Sequence, residues 1–253
     1  SKERRFAYQN SWAITTRSIG VIIMVHGDNK GLILPPRIAV YQAVIVPCGI
    51  TADLSEADRN ALTDKCKELQ KMLSAAGVRV HGDYRDNYSP GWKFNHWELK
   101  GVPIRIEVGP RDLKNNQFVT VRRDTAEKQT FKWATAVEDI KKLTETIQQS
   151  MFDKAKGELD NSIQKVTNFD DFCKNLDKKK LLLAPFCGGI PCEEKIKKES
   201  ARDAVVEEGA PAMGAKGLCI PFEQPGEITA DLKCVCPGCP DKPQYFTLFG
   251  RSY

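Results

Sequence analysis

Nine cysteines occur in the 253 residues, and six of them fall between Phe186 and Cys239. Cys187 and Cys192 frame the turn Cys-Gly-Gly-Ile-Pro-Cys, and Cys234, Cys236 and Cys239 sit in Lys-Cys-Val-Cys-Pro-Gly-Cys-Pro. Thiolates offered in pairs from two Gly/Pro turns, with a longer loop between, are the donor set of a tetrahedral four-sulfur zinc site. The metal then clamps the two turns together. Cys236-Pro-Gly-Cys239 is itself a C-x-x-C turn, so the spare of the second arm is either Cys234 or Cys239. Nothing nearby leaves a coordination position open for substrate, which predicts a structural metal. Cys219 lies between Leu218 and Ile220 and reads as core, and Cys48, Cys66 and Cys173 read as buried thiols. His26, His81 and His96 share no spacing that suggests a metal or a catalytic pair.

The elements that must position such groups follow from pattern and composition. Hydrophobic content of 41% and charged content of 28% are those of an ordinary globular chain, and a net charge of +5 suits a polyanionic partner without requiring one. No apolar run reaches the length of a membrane span. The start, Ser-Lys-Glu-Arg-Arg-Phe, is charged, and with an odd number of cysteines it predicts reduced thiols and a cytoplasmic location. Ser11 to Thr16 reads as a strand, and the apolar stretch Ile19 to Val25 is expected to be buried. Too little precedes that stretch to cover it, so the chain is expected to begin inside a domain whose remainder lies outside it, with Pro35-Pro36 as the exit.

Ile38 to Val46 reads as a buried strand. Ser55 to Ala76 reads as an amphipathic helix with Ser55 as its N-cap, Asp58 three positions on, and Leu62, Cys66, Leu69 and Leu73 on one face; Gly77 ends it. A strand from Val78, a helix over Gly91–Leu99 entered through Ser89-Pro90, strands over Val102–Val108 and Phe118–Arg122 joined by a Gly109-Pro110 turn, and a helix over Thr135–Met151 complete an α/β unit with a mixed sheet. Beyond it come a charged helical bridge from Asp153 to Val166, a strand over Leu181–Pro185, a helix over Glu193–Ser200, a loop over Val205–Lys216, and an apolar end from Gln244 that is expected to pack.

Tyr8-Gln9-Asn10-Ser11-Trp12-Ala13-Ile14-Thr15-Thr16-Arg17, with Gly20 and His26-Gly27-Asp28 after it, resembles the third motif of class II aminoacyl-tRNA synthetases. Ser89-Pro90-Gly91-Trp92-Lys93-Phe94-Asn95-His96-Trp97-Glu98-Leu99-Lys100-Gly101-Val102-Pro103, the cysteine segment and the end Leu248-Phe249-Gly250-Arg251-Ser252-Tyr253 resemble the anticodon-binding and C-terminal zinc domains of prolyl-tRNA synthetases. The eukaryotic and archaeal type is the match, and the prolyl half of animal glutamyl-prolyl enzymes comes nearest. The resemblance implies three parts: the end of a class II catalytic domain over 1–36, an α/β anticodon-binding domain with a mixed sheet over 37–150, and a small α+β zinc-binding domain over 151–253.

By that resemblance, Arg17 and, beside it, Thr15 hold ATP. A guanidinium is permanently charged and forks onto phosphate oxygens, which suits the charge that develops as pyrophosphate leaves. Glu98, Arg105, Arg111, Asp112 and Lys128 would read the anticodon. A carboxylate accepts from the N1–H and N2–H edge of guanine, and Arg or Lys donates to O6 and N7. The zinc ligands implied are Cys187, Cys192, Cys234 and Cys236. Also implied are the tRNA for proline, ATP with Mg and L-proline as substrates of the complete enzyme, a homodimer formed only through the missing catalytic part, and other synthetases as partners. Two departures matter. Ala13 stands where the family has glycine, and nothing resembles the first two class II motifs, so this chain alone is expected to be inactive. A non-catalytic RNA-binding or interaction module that reuses an anticodon-binding fold is the alternative.

Overall fold

The computed structural model describes residues 7, 9–51, 54–201 and 213–251, arranged as two units, Ser1–Ala155 and Lys156–Tyr253. Of the readings above, Tyr8, most of the loop over Val205–Lys216, and Ser252 and Tyr253 lie outside the described residues.

In the first unit the order is α1 (Arg17–His26), β1 (Ala43–Pro47), α2 (Glu56–Ala75), β2 (Val80–Gly82), α3 (Pro90–Leu99), β3 (Ile104–Val108), α4 (Pro110–Lys114), β4 (Gln117–Arg122), β5 (Lys128–Lys132) and most of α5 (Ala136–Ser162), whose last turns, from Lys156, are counted with the second unit. The sheet runs β2-β1-β3-β4-β5, with β1 parallel to both β2 and β3, and β4 and β5 antiparallel. α2 connects β1 to β2 and α3 connects β2 to β3, the crossovers that parallel strands require. Ala43 and Ile45 pack with Leu62, Leu69 and Leu73 of α2 and Ile140 and Ile147 of α5. Val44 and Val46 pack with Trp97 and Val102 on the other face. A strand covered on both faces must be apolar throughout, which is why β1 shows no alternation.

The helix starts are set by side chains. Ser55 Oγ accepts from the Asp58 backbone N–H at 3.1 Å and donates to the Asp58 carboxylate at 2.7 Å, so Asp58 grips the capping hydroxyl itself and not the backbone of Ser55. Ser55→Ala should lower unfolding stability by about 1 kcal/mol, read as a shift of the urea midpoint at unchanged slope. Ser89 caps α3 in the same way, accepting from the Trp92 N–H at 3.3 Å. Gly77, at φ +86°, ends the α2 segment in a conformation costly for any other residue.

Three expectations change. Arg17–His26 is helical, and the residues from Ser11 to Thr15 form no strand. No residue of α1 is buried, and Ile19, Met24 and, before the helix, Trp12 are exposed. Nothing within the described residues covers this face, so the run contributes no core here. Ile23→Lys should therefore leave the unfolding midpoint of this chain within about 0.5 kcal/mol of its parent. Finally, Gly109-Pro110 opens the short helix α4 instead of a simple turn.

In the second unit the order is β6 (Ile163–Lys165), α6 (Phe169–Asp177), β7 (Leu181–Phe186), α7 (Ile190–Glu199), β8 (Lys216–Cys219) and β9 (Tyr245–Gly250). The sheet runs β6-β7-β9-β8, parallel only between β6 and β7. Phe172, Leu176, Leu182, Ala184, Ile196 and Phe249 fill its core. The molecule is thus α/β with two mixed sheets. Among the described residues no helix is long and apolar enough to cross a membrane.

Candidate nucleic-acid interface and metal centre

β3 alternates faces. Ile104, Ile106 and Val108 enter the core, which leaves Arg105 and Glu107 on the face that carries α3. The Arg105 guanidinium bonds the Glu98 carboxylate of α3, reaches Glu107 Oε1 through Nε at 2.9 Å, and lies 4.1 Å from the centre of the Phe94 ring. Two carboxylates and a ring therefore hold one cation in a single orientation. Glu98 keeps about a third of its side-chain surface open, at 35%, whereas Arg105 keeps 11%. Of this pair it is the carboxylate that is open to a partner.

Asp112 is the third residue of α4, and its Oδ2 accepts from the Gly109 N–H at 2.9 Å, so it fixes the chain at the carboxyl end of β3. Arg111 beside it and Lys128, the first residue of β5, are exposed. The structure thus joins Glu98 to Arg105, and supplies Glu107 as a partner that pattern reading missed. Its signal was the i, i+2 spacing from Arg105 on an alternating strand. Thr15 and Arg17 sit together at the exposed start of α1, where the Thr15 carbonyl accepts from the Ser18 N–H at 3.0 Å.

A second polar constellation was not foreseen. Asp83 follows β2 and is buried. Its carboxylate accepts from Arg85 Nε and Nη2 at 2.8 and 2.6 Å and from Trp97 Nε1 at 2.9 Å. Burial raises this carboxyl, but the Arg85 and Trp97 donors outweigh it and hold the group well below the usual carboxylate range. Nearby, Asp28 is paired at 2.7 and 2.9 Å with both terminal nitrogens of Arg123, and Leu32 N–H and Leu34 N–H donate to the carbonyls of Leu99 and Gly101 at 3.1 and 3.2 Å. These bonds tie residues 28–34 to the end of α3. Gly101, at φ +71°, admits them because a Cβ there would stand 2.7 Å from Leu32.

The cysteines gather in the second unit. The sulfurs of Cys187, Cys192, Cys234 and Cys239 all lie within 4.8 Å of one another, and those of Cys187 and Cys239 are 3.8 Å apart. The sulfur–sulfur edge of a zinc tetrahedron with bonds near 2.3 Å is about 3.8 Å, so the donors present fit a four-thiolate ion. Burial pushes the Cys234 thiol up to about 12. Cys236, implied above as a ligand, is outside the gathered set, and its Sγ lies 3.9 Å from the Pro237 carbonyl. The reason is the turn Cys236-Pro-Gly-Cys239, closed by the Cys239 N–H on the Cys236 carbonyl at 3.2 Å with Gly238 at φ +69°, which swings Cys239 back toward Cys187. Cys219 is exposed on β8 and not in the core.

Two families match this chain: the anticodon binding domain over residues 42–143, and the prolyl-tRNA synthetase C-terminal domain over residues 169–253. A bifunctional glutamate/proline–tRNA ligase of Drosophila melanogaster is 59% identical over 253 residues, which is 100% of this chain and 15% of that protein. The cytoplasmic proline–tRNA ligase of Arabidopsis thaliana is 45% identical over 251 residues, covering 99% of this chain and 44% of its own length. The proline–tRNA ligase of Encephalitozoon cuniculi is 42% identical over 254 residues, covering 100% and 50%. The chain therefore spans half or less of the relatives it matches.

Proposed function

The chain belongs to the proline–tRNA ligase family, corresponding to its C-terminal region, and from that membership we propose that it reads tRNA for an ATP-dependent proline–tRNA ligase. The observation that carries this reading is the oriented pair Glu98–Arg105 on an anticodon-binding fold. With Arg105 restrained by Glu107 and Phe94, the open Glu98 carboxylate is positioned to accept from the Watson–Crick edge of an unstacked guanine. Arg111 and Lys128 are placed to donate to its O6 and N7 or to the adjoining phosphates, while Asp112 orients the loop that carries Arg111. Little side-chain freedom remains to be lost on binding, which favours specificity.

Residues 1–36 act as the end of the catalytic domain, 37–150 as the anticodon reader and 151–253 as the zinc domain. Arg17 and Thr15 contribute to the site for ATP, with Mg and L-proline supplied by the complete enzyme, in which the apolar face of α1 is covered. Dimerisation belongs to that absent part. Zinc is held by Cys187, Cys192, Cys234 and, in preference to Cys236, Cys239, and it braces the fold. The bifunctional relative supports assembly with other synthetases, and the cytoplasmic relative supports a cytoplasmic location.

The test is binding of the tRNA for proline against the same tRNA with its two anticodon guanines replaced, at fixed salt, since phosphate contacts alone bind both equally. A loss of about ten-fold or more is expected, from the ~1–3 kcal/mol that one bidentate base contact discriminates. Equal affinity would reduce the chain to an RNA-binding module that follows the backbone.

A further inference from the structure

A cleft of about 510 Å³ opens at the carboxyl ends of β1 and β2, between the first turns of α2 and α3. Neither β1 nor β2 carries a residue of the anticodon set above. In open α/β sheets this is where ligands bind, because neighbouring connections leave toward opposite faces and part the helices. Here α2 packs on one face of the sheet and α3 on the other. The volume is that of a small-molecule site.

Two features of the lining point to one ligand class. Lys93 is 5% exposed, yet among the described residues its ammonium has only the Asp83 carbonyl oxygen, at 3.2 Å, and no carboxylate. The neighbouring Asp83 carboxylate is already taken by Arg85 and Trp97. A buried ammonium with three donors and one neutral acceptor lacks its counter-ion. Beside Arg85, which is paired with Asp83, Arg59 adds a further cation to the lining, and among the described residues Asp86 is the single acidic residue there. Secondly, Tyr88 lines the cleft as the end ring of a parallel stack, 3.9 Å from Trp92, which lies 4.9 Å from His96. Arg85 sits 4.9 Å from the Tyr88 ring and braces it. A planar, anion-bearing ligand satisfies both features at once.

We propose that this cleft binds a nucleotide, with its base extending the Tyr88–Trp92–His96 stack and its phosphate serving as the counter-ion of Lys93 and Arg59. The ligand chemistry is shared by a free nucleoside monophosphate and by one unpaired nucleotide of an RNA strand. The site is separate from Glu98 and Arg105, so it stands whether or not those residues read an anticodon.

Calorimetric titration of the 253-residue chain with AMP should saturate, with adenosine at least about ten-fold weaker and inorganic phosphate competing. Tyr88→Ala should weaken AMP by about five-fold to a hundred-fold, the range of one base–aromatic stack. Arg59→Gln should narrow the preference for AMP over adenosine, and Lys93→Met should abolish it. Because Lys93 is buried and its replacement can unfold the unit, the exposed Arg59 variant and the AMP–adenosine comparison carry the phosphate test by themselves. Displacement of AMP by a single-stranded oligoadenylate would assign the site to RNA, and saturable AMP binding without displacement would assign it to the free nucleotide. No saturable AMP binding up to about 10 mM, a limit near 3 kcal/mol, would overturn the proposal. So would binding that Tyr88→Ala and Arg59→Gln leave unchanged.

Discussion

Chelating the metal proposed for the cysteine cluster, or replacing Cys187 with Ser, is expected to unfold the second unit and to leave the first folded. The expectation rests on where the four sulfurs sit. Cys187 closes β7, Cys192 lies on the first turn of α7, and Cys234 and Cys239 come from a loop without regular structure that joins β8 to β9. That loop is held to the sheet by the Val235 and Gln244 N–H groups on the Pro185 and Phe186 carbonyls, at 2.8 and 2.9 Å. Lys195 Nζ donates to the Pro237 carbonyl at 2.7 Å, and a metal on the four thiolates would add the strongest further restraint. Four-thiolate zinc contributes roughly 10–16 kcal/mol in small metal-folded domains, as large as the whole stability of a typical domain.

Far-UV circular dichroism should lose only part of its helical signal, and limited proteolysis should then cut within 156–253. Replacing the metal with cobalt(II) should give the intense visible absorption of tetrahedral thiolate coordination. Cys239→Ser should lose that absorption and Cys236→Ser should keep it. A unit indifferent to chelation would mean that the Phe172–Phe249 core suffices and that the thiols have another role.

Asp83→Ala is expected to cost about 1–3 kcal/mol, because it leaves the buried Trp97 N–H without its acceptor, while Arg85, 40% exposed, turns to solvent. The carboxylate side chain is fully buried, yet the donors on it hold its titration far below the ordinary range. A group whose folded pKa is depressed contributes stability above its unfolded pKa, near 4, and loses it as pH falls further. The wild-type chain should therefore lose stability below about pH 4, and the variant should lose less of it there. Asp83→Asn, which keeps an acceptor for Trp97 but gives up the forked pair with Arg85, should fall between the two. Urea midpoints at pH 7 and pH 3.5 for the three proteins would decide; an unchanged acid limb in Asp83→Ala would mean that other carboxylates govern it.

Much of this fold is written in local pattern. The period of Leu62, Cys66, Leu69 and Leu73, closed by Ser55 before and Gly77 after, specifies α2 without reference to the rest of the chain; of the strand expected over Ile38–Val46, only the stretch from Ala43 forms β1, covered on both faces, and Ile38 and Val40 lie exposed before it. The Gly/Pro spacing of the cysteines marked a cluster able to hold a metal for the same reason, since a chelating turn is a local object. Several elements escaped, among them α4, β6, β5 and α6. β5, Lys-Gln-Thr-Phe-Lys, has only Phe131 to bury and is a strand because β4 offers it a ladder. α6 follows the charged bridge, although Asn168 accepting from the Asp171 N–H at 2.8 Å, with Phe172, Cys173 and Leu176 at helical spacing, was a readable cap and face.

Sequence alone determined the strongly patterned elements such as α2 and the Ala43–Val46 part of β1, the family resemblance, and the candidate chemistry of Glu98, Arg105 and the cysteines. Tertiary structure decided the rest: that α1 is helical and uncovered among the described residues, that Glu107 and Phe94 lock Arg105, that the sulfur of Cys239 gathers with those of Cys187, Cys192 and Cys234, and that Arg59, Tyr88 and Lys93 share one cleft. The division has a physical cause. Periodicity, capping and turn geometry act within a few residues, where the sequence states them directly. Pairing across a sheet, the closing of a coordination shell and the counter-ion of a buried charge depend on groups tens of residues apart, which only the folded chain brings within reach.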